Sequence, residues 1–200
     1  MNKEFSAIIL AGGLSRRMGK DKRSLSLHGK TLFNYSKELA THFSDEILIS
    51  ANDDLPLFAG FPRIPDTEKG AGPLLAIAST LPHASHPDSL VLTCDMPFLS
   101  VEIIERLINQ HIPGKISLYL IDQILQPFPA IIPGSCLQQL ENCIAKNIRS
   151  MKKALEELPV NLIVTKSSSN ELSFLNINRQ DEFKKAEKIL KNLDDLQHKM

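Results

Sequence analysis

Three short apolar segments, each followed by a stretch with helical spacing, constrain the fold of this chain most. The segments are rich in β-branched residues and lie at residues 5–10, 46–50 and 90–94. Such runs are typical of buried strands in a parallel sheet. Apolar residues three or four positions apart predict helices at residues 31–43 and 72–81, and a further helix that Ser100 caps. The order β-α-β-α-β-α predicts an α/β fold with right-handed crossovers.

The second half of the chain has weaker patterns and predicts a mixture of strands and helices. Strands are predicted at residues 116–121 and 130–132, with a turn at residues 126–129 between them. The remaining predicted elements are helices at 135–143 and 150–158, a strand at 160–164, a loop at 166–170, a short apolar segment at 174–177 and a surface helix at 180–196. Because there is no internal repeat and no long linker, we expect one domain over residues 1–200.

Composition limits the kinds of binding partner and the cellular compartment that we expect for this protein. Lys plus Arg and Asp plus Glu both total 23, so net charge gives no indication of a nucleic-acid or membrane surface, and any anion site must be built locally. Cys94, Cys136 and Cys143 form no C-x-x-C pair, which predicts reduced thiols in an intracellular protein. Residues 1–5 lack a signal-peptide layout and no apolar run approaches a membrane span. We therefore expect a cytoplasmic protein with no nucleic-acid or membrane partner.

The segment LAGGLSRRMGKDK, from Leu10 to Lys22, begins where the first strand ends. Open α/β sheets bind ligands at the carboxyl ends of their strands. Gly12 and Gly13 let backbone N–H groups approach an anion closely. Among the cations of the segment, Arg16, Arg17 and Lys22 add fixed positive charge around the same point. These features suit a triphosphate, although a glycine turn followed by a solvated basic loop is the commoner meaning of two adjacent glycines alone.

Asp95 follows the third predicted strand at its carboxyl end. Magnesium prefers oxygen ligands and often takes one or two carboxylates, with phosphate and water completing its shell. An aspartate in this position is also typical of a turn, here with Pro97 fixing the chain. Beside a phosphate-binding loop, the metal role is favoured.

The same residues resemble the signature of the molybdenum cofactor guanylyltransferases, and the resemblance continues in order along nearly the whole chain. Its parts are LAGGLSRRMGKDK, Ser50-Ala51-Asn52, Asp66, the G-x-G-P-L stretch of residues 70–74, Cys94-Asp95-Met96-Pro97-Phe98, Gln126-Pro127, Arg149 and the FLNIN stretch of residues 174–178. The family usually has G-P-L-A-G where this chain has Gly72-Pro73-Leu74-Leu75-Ala76, and residues 126–132 carry an extra proline. Both departures bear on the identity of the acceptor substrate more than on the identity of the nucleotide.

The resemblance implies a nucleotidyltransferase fold: a Rossmann-like three-layer α/β/α domain with a mostly parallel sheet. It also implies a nucleotide-binding half at about residues 1–110 and an acceptor-binding half at about residues 111–200. The implied catalytic residues are Lys22, Asp95 and Arg16, with Asp95 as the ligand of Mg²⁺. The implied nucleotide contacts are Leu10, Ala11, Gly12, Gly13, Lys22, Asn52, Asp66 and Asp95. The implied acceptor contacts are Arg149, Asn176 and Asn178.

Each of the less certain contacts has a structural alternative. Asn52 and Asp66 could contact the base, where Asp66 would accept from the N–H groups of guanine, or each could fix a turn. Strand alternation would place Asn176 and Asn178 on one face, toward a pterin, or they could satisfy backbone groups. Arg149 could hold an acceptor phosphate or be exposed on the surface.

The implied reaction transfers GMP from GTP to the terminal phosphate of molybdopterin and releases pyrophosphate. The partners would be GTP, molybdopterin or Mo-molybdopterin, and proteins of cofactor biosynthesis and molybdoenzyme maturation, including chaperones. Two alternatives stay open at this point. One is a cytidylyltransferase or sugar-phosphate nucleotidyltransferase of the same superfamily, and the other is a non-catalytic carrier of nucleotide or cofactor. The intact Asp95 and Lys22 count against the carrier.

Overall fold

A computed structural model describes residues 4–12, 21–68, 72–166 and 172–197, with side chains up to residue 192. The predicted site residues Gly13, Arg16 and Arg17 lie outside the described residues. So do Gly70 and Ala71 of the G-x-G-P-L stretch.

The centre of the molecule is a seven-stranded sheet with the order β5-β4-β1-β6-β8-β7-β9. Its strands are β1 (Phe5–Leu10), β4 (Ile47–Ser50), β5 (Arg63–Ile64), β6 (Asp88–Thr93), β7 (Ile116–Ile121), β8 (Ile124–Pro133) and β9 (Val160–Thr165). A separate two-stranded ribbon pairs β2 (Ser26–Leu27) with β3 (Lys30–Thr31). Every neighbouring pair in the large sheet is parallel except the two that β8 makes, with β6 and with β7. The sheet is therefore mostly parallel, as predicted.

Helices cover both faces of the sheet. They are α1 (Leu32–Phe43), α2 (Pro73–Thr80), α3 (Val101–Asn109), α4 (Leu137–Ala145), α5 (Met151–Ala154) and α6 (Gln180–Gln197). Alternate residues of each strand enter different cores: Ile9 packs in the cluster with α1 and α3, whereas Ile8 packs in the cluster with α2, α4 and α5. Because strand side chains alternate between faces, two helical layers are needed to bury them. The three-layer α/β/α prediction is confirmed.

The chain order of the strands creates a switch point beside β1. From β1 the chain moves to β4 and β5 on one side, and it then returns to β6 on the other side. In open α/β sheets the crevice at such a point is the usual ligand site. The residues that directly follow β1, β4 and β6 therefore meet at one end of the sheet, which brings Gly12, Asn52 and Asp95 to the same side of the molecule.

The predicted position of one turn in the second half was wrong. The turn expected at residues 126–129 lies instead at Asp122 and Gln123, whose positive φ angles of 44° and 65° join β7 to β8. Strand β8 runs through Pro127 and Pro129. The register between β7 and β8 shifts at Leu118/Tyr119, so these prolines lie in an irregularity where no ladder N–H is required.

The segment around Asn176 lacks the strand alternation that would place Asn176 and Asn178 on one face, since residues 175–178 have no regular secondary structure. The backbone N–H of Ile177 donates to the carbonyl of Asp95 (2.8 Å), and its side chain is fully buried against Leu27, Leu32 and Phe183. The apolar residues of this segment thus anchor it to the core, Ile177 beside Leu27 and Phe174 beside Tyr119, rather than pairing as a strand. Helix α5 is likewise shorter than the predicted helix at residues 150–158.

Candidate active site

The ammonium group of Lys22 lies between an aspartate and an asparagine that are far apart in sequence. Lys22 Nζ donates to Asp95 Oδ2 (2.9 Å) and to Asn178 Oδ1 (2.8 Å). Lys22 and Asp95 are both largely buried, with side-chain exposures of 18% and 17%. Desolvation strengthens this ion pair relative to one on the open surface. Three predicted site residues are therefore brought to one point.

Asp95 is positioned by strand β6, which precedes it, and by a hydrogen bond from the segment that contains Ile177. It follows β6, and its carbonyl accepts the N–H of Ile177 (2.8 Å), so residues 177 and 178 are fixed beside it. The second carboxylate oxygen, Oδ1, is buried and has no hydrogen-bond partner among the described residues. A buried carboxylate oxygen without a donor is costly unless a ligand satisfies it. Asp95 Oδ1 is therefore suited to a cation.

The start of the glycine-rich segment continues the sheet. Ala11 is buried, and its N–H donates to the carbonyl of Ser50 (2.9 Å), which extends the ladder between β1 and β4. Leu10 is half-buried at the end of β1, whereas Gly12 is exposed. The described part of the segment thus leaves a rigid strand and reaches the surface at Gly12, where an anion could approach the backbone.

Arg23 was not predicted as a site residue, although it is the most heavily bonded side chain near Lys22. Its guanidinium donates to Asp21 through Nε (2.8 Å to Oδ1) and Nη2 (2.6 Å to Oδ2). It donates to Asp53 through Nη1 (2.6 Å to Oδ1) and Nη2. Nη1 also donates to the carbonyl of Ala11 (2.7 Å), and the ring of Phe58 lies 5.6 Å from the guanidinium carbon. The sequence Asp21-Lys22-Arg23 shows that a cation follows Lys22. No sequence pattern showed that Asp53 would be the partner of Arg23.

The electrostatics of this group hold all three charges in their ionised forms. Hydrogen bonds from Arg23 lower the pKa of Asp21 and of Asp53, against the opposing effect of burial. The hydrogen bond to Asp53 raises the pKa of Arg23 further above its ordinary value. Both carboxylates therefore remain charged at neutral pH.

Asn52 and Asp66, the predicted base contacts, bond to each other. Asn52 Nδ2 donates to Asp66 Oδ2 (2.9 Å), and the N–H of Asp66 donates to Asn52 Oδ1 (2.9 Å). Ser50 Oγ makes a longer contact of 3.4 Å to Asp66 Oδ1. This reciprocal pair fixes the loop after β4 against the segment after β5. Asp66 Oδ1, with the weaker bond, is the oxygen better able to accept from a ligand.

Arg149 lies at a different part of the site from the two asparagines. Its Nη1 is 3.4 Å from Glu68 Oε2, and its Nε donates to Asn147 Oδ1 (3.2 Å). The Arg149 carbonyl would lie 3.2 Å from a Cβ added at Gly72, which precedes α2 and has φ of 88°. Arg149 is thus positioned at the start of α2, while Asn178 contacts Lys22 and Asn176 is half-buried two residues earlier. The structure does not join all three predicted acceptor residues.

Thiol chemistry is not supported. All three cysteines are buried and free, and burial raises the pKa of Cys94 to about 12. Its Sγ faces the carbonyl of Leu10 at 3.6 Å, as expected for a core residue. Within the described residues, no group of three His, Cys, Asp or Glu side chains could enclose a metal ion. Nor does the described part of the chain contain a helix long and apolar enough to cross a membrane.

Comparison with known proteins identifies the family. The family model described as the MobA-like NTP transferase domain matches residues 7–161. The chain belongs to this family. The match covers β1 through the beginning of β9, and so includes Lys22, Asp66 and Asp95, while Asn178 lies beyond it.

Full-length relatives and a solved structure agree with this family. A probable molybdenum cofactor guanylyltransferase of Pelotomaculum thermopropionicum is 28% identical over 198 residues, which cover 94% of this chain and 95% of the relative. A molybdenum cofactor guanylyltransferase of Pseudomonas entomophila is 32% identical over 178 residues, covering 86% and 93%. The crystal structure of molybdopterin-guanine dinucleotide biosynthesis protein A from Archaeoglobus fulgidus superimposes with a TM-score of 0.77 at 27% identity, covering 94% of this chain and all of that one.

Proposed function

We propose that this protein is a molybdenum cofactor guanylyltransferase, which transfers GMP from GTP to the terminal phosphate of molybdopterin. An oxygen of the acceptor phosphate would attack the α-phosphorus of GTP, and the bond to the β-phosphate would break to release pyrophosphate. Family membership and the names of the relatives support the substrates. The acceptor already carries a nucleophilic oxygen, so no side-chain nucleophile is required. The described site, whose thiol is kept protonated, is consistent with this chemistry.

The observation that carries the proposal is the convergence of Lys22, Asp95 and Asn178 at the carboxyl end of β6. A phosphoryl transfer needs positive charge beside the phosphates and an anchor for a metal ion, and it needs little covalent chemistry from the protein. Lys22 supplies the charge and Asp95 the anchor.

The residues present fit a magnesium ion. Asp95 Oδ1 is buried without a partner among the described residues, and the amide oxygen of Asn178 lies on the same ammonium as Asp95 Oδ2. Hard oxygen donors of this kind suit Mg²⁺, which takes few protein ligands and completes its shell with phosphate and water. When bound, Mg²⁺ would neutralise charge on the phosphates. Asp95 would hold it through Oδ1.

The remaining nucleotide contacts are proposed from the same edge of the sheet. Lys22, the backbone at Leu10, Gly12 and Gly13, and the cation Arg16 would hold the triphosphate. The predicted backbone contact at Ala11 is not retained, because its N–H and carbonyl are bonded to Ser50 and Arg23. Asp66, braced by Asn52, would accept from the N–H groups of guanine through its less occupied oxygen. This contact would disfavour adenine, whose edge would leave the carboxylate unpaired.

The acceptor is proposed to bind in the half formed by residues 111–200, through Arg149, Asn176 and Asn178. Arg149 could exchange its 3.4 Å contact with Glu68 for a phosphate. Three free thiols support a reducing compartment, the cytoplasm. Proteins of cofactor biosynthesis and molybdoenzyme chaperones would then receive the product.

The test is pyrophosphate release with molybdopterin, Mg²⁺ and each of GTP, CTP, ATP and UTP. We expect release with GTP alone, and loss of release in an Asp95→Asn variant but not in Asp45→Asn, which changes an exposed aspartate. Release with CTP instead would overturn the base assignment and retain the mechanism. Nucleotide binding without release from any triphosphate would overturn the enzyme in favour of a carrier.

A further inference from the structure

The guanidinium of Arg23 is saturated by the protein itself. An arginine side chain has five N–H donors, and Arg23 uses one in each of five hydrogen bonds: two to Asp21, two to Asp53 and one to the carbonyl of Ala11. It is only 9% exposed. No donor is left for a phosphate, although the residue lies directly beside Lys22. Arg23 is therefore not a phosphate contact in this arrangement.

The partners of Arg23 belong to three separate parts of the site. Ala11 directly follows β1, Asp21 caps the short 3₁₀ turn Lys22–Ser24, and Asp53 lies in the loop after β4 next to Asn52. Asp21 also accepts the backbone N–H of Arg23 (3.0 Å), so the turn and the guanidinium are fixed by one carboxylate. The set Ala11, Asp21, Arg23 and Asp53 is called the arginine clamp below.

The clamp determines where Lys22 points. Successive residues in a 3₁₀ turn project about 120° apart. With Arg23 directed at Asp53 and Ala11, Lys22 is directed to the other side, where it meets Asp95 and Asn178. A lysine side chain is flexible, so the position of its ammonium depends strongly on how its backbone is held. We infer that Arg23 is a positioning residue, which acts on phosphate transfer through Lys22 without touching the substrate.

This inference rests on the proposed function only for its kinetic test, because the position of the Lys22 ammonium can be observed directly. In protein labelled with ¹⁵N at the lysine side chains, the Lys22 ammonium is assigned by its loss in Lys22→Ala. Bonding to Asp95 and Asn178 should slow its hydrogen exchange with water. Arg23→Lys keeps the charge but has three donors on one atom in place of five on a planar fork, so it cannot make all five bonds. We expect exchange at Lys22 to accelerate in Arg23→Lys.

Arg63→Lys is the matched control. Arg63 also donates to a backbone carbonyl, that of Ala51 (3.1 Å), and has an aspartate nearby, Asp54 at 4.0 Å. It lies in β5, and the lysine keeps the charge with which Arg63 also acts on Asp53. Exchange at Lys22 should be unchanged in this control. An unchanged Lys22 signal in Arg23→Lys would overturn the inference, whether or not the protein transfers GMP.

The kinetic test is a double-mutant cycle between Arg23→Lys and Lys22→Ala, measured under single-turnover conditions. Misplacing a catalytic group by about 1 Å can reduce the rate by roughly a hundredfold, so we expect Arg23→Lys to slow transfer by roughly tenfold to a hundredfold. In the Lys22→Ala background the same substitution should change the rate by less than about twofold, since the group that it positions is gone. Equal losses in both backgrounds would show a general structural role and overturn the inference.

A second variant, Asp53→Asn, keeps the inference testable if Arg23→Lys does not fold. Asp53→Asn removes one charged partner at a half-exposed position and leaves the bonds between Arg23 and Asp21 in place. It should accelerate exchange at Lys22 less than Arg23→Lys and show the same dependence on Lys22 in the cycle. No effect of Asp53→Asn on either measurement would contradict the clamp. If the wild type releases no pyrophosphate, the proposed function fails, while the exchange measurement still decides the role of Arg23.

Discussion

The two oxygens of the Asp95 carboxylate have different surroundings. Oδ2 accepts from Lys22 at 2.9 Å, whereas Oδ1 is buried without a partner among the described residues. A residue that served only to begin a turn would have no reason to leave one buried oxygen unsatisfied. At the scale of single residues, this asymmetry is the main physical support for a cation-binding role.

Asp95→Asn should reduce the rate of pyrophosphate release by about a hundredfold or more, on the scale of losing a principal electrostatic stabiliser. The amide has nearly the shape of the carboxylate, so the fold should be retained. Turnover at saturating Mg²⁺ and circular dichroism measure the two effects separately. Near-normal turnover would exclude Asp95 as the metal ligand.

Lys22→Met should slow transfer and, at the same time, tighten the binding of Mg²⁺ in the absence of nucleotide. The ammonium occupies one oxygen of Asp95 and repels a second cation, and its removal should raise Mg²⁺ affinity by about tenfold or more. Isothermal titration calorimetry with Mg²⁺ alone measures this. Lys30→Met, which changes a lysine paired with Glu38, is the control. Weaker Mg²⁺ binding in Lys22→Met would contradict competition between the two cations.

At the scale of elements, the start of α2 depends on Gly72. Its φ of 88° is a conformation that residues with a Cβ rarely adopt, and an added Cβ would meet the Arg149 carbonyl at 3.2 Å. Only glycine satisfies both conditions without strain. The junction between α2 and the loop after α4 is therefore specified by one residue.

Gly72→Ala should lower the free energy of unfolding by about 1–3 kcal/mol. Gly114→Ala provides the matched control, because Gly114 has a similar φ of 78° and nothing within 4 Å of an added Cβ. Both variants incur the backbone cost, so the difference between them measures the contact with Arg149. Urea denaturation gives both values. Equal losses would show that the Arg149 carbonyl moves aside freely.

Sequence patterns predicted the elements whose signal is local. The apolar run of β1 and the spacing of α1 gave the correct elements, and Ser100 does precede α3. They failed where tertiary contacts decide: the prolines of β8 fall in a bulge, and Ile177 is buried without a strand. The resemblance indicated Lys22, Asp95 and Asn178, which the structure joins, but Arg23 was missed because two of its partners, Ala11 and Asp53, come from other segments of the chain.

At the scale of the whole molecule, the arginine clamp links stability to pH. The pKa values of Asp21 and Asp53 are lowered from the ordinary value of 3.8, first through hydrogen bonds from Arg23. A carboxylate whose pKa is lower in the folded state stabilises that state above its unfolded pKa. The contribution is lost as the pH falls from about 3.8 through the folded value, because the unfolded chain then binds more protons.

Asp53→Asn should therefore be less stable than the wild type at pH 7 and lose stability less steeply below pH 3.8. The free energy of unfolding, measured in urea between pH 2 and pH 7, tests both statements. Asp54→Asn changes the neighbouring, more exposed carboxylate, whose distance to Arg63 is 4.0 Å, and serves as the control. If the free energy of unfolding depended on pH in the same way in wild type and in Asp53→Asn, the proposed link between Asp53 and stability would be contradicted.

Strand β8, which is antiparallel to both of its neighbours, also sets the distance between the carboxyl ends of β6 and β7. Because β8 returns from β7 and inserts beside β6, it separates β6 and β7, whose carboxyl ends still point the same way. With neighbouring strands about 4.8 Å apart, those ends are about 10 Å from each other. In the proposed division of the domain, nucleotide and acceptor would therefore approach from adjacent but separate ends of one sheet. That spacing lets two ligands be held side by side until a single diphosphate bridge joins them.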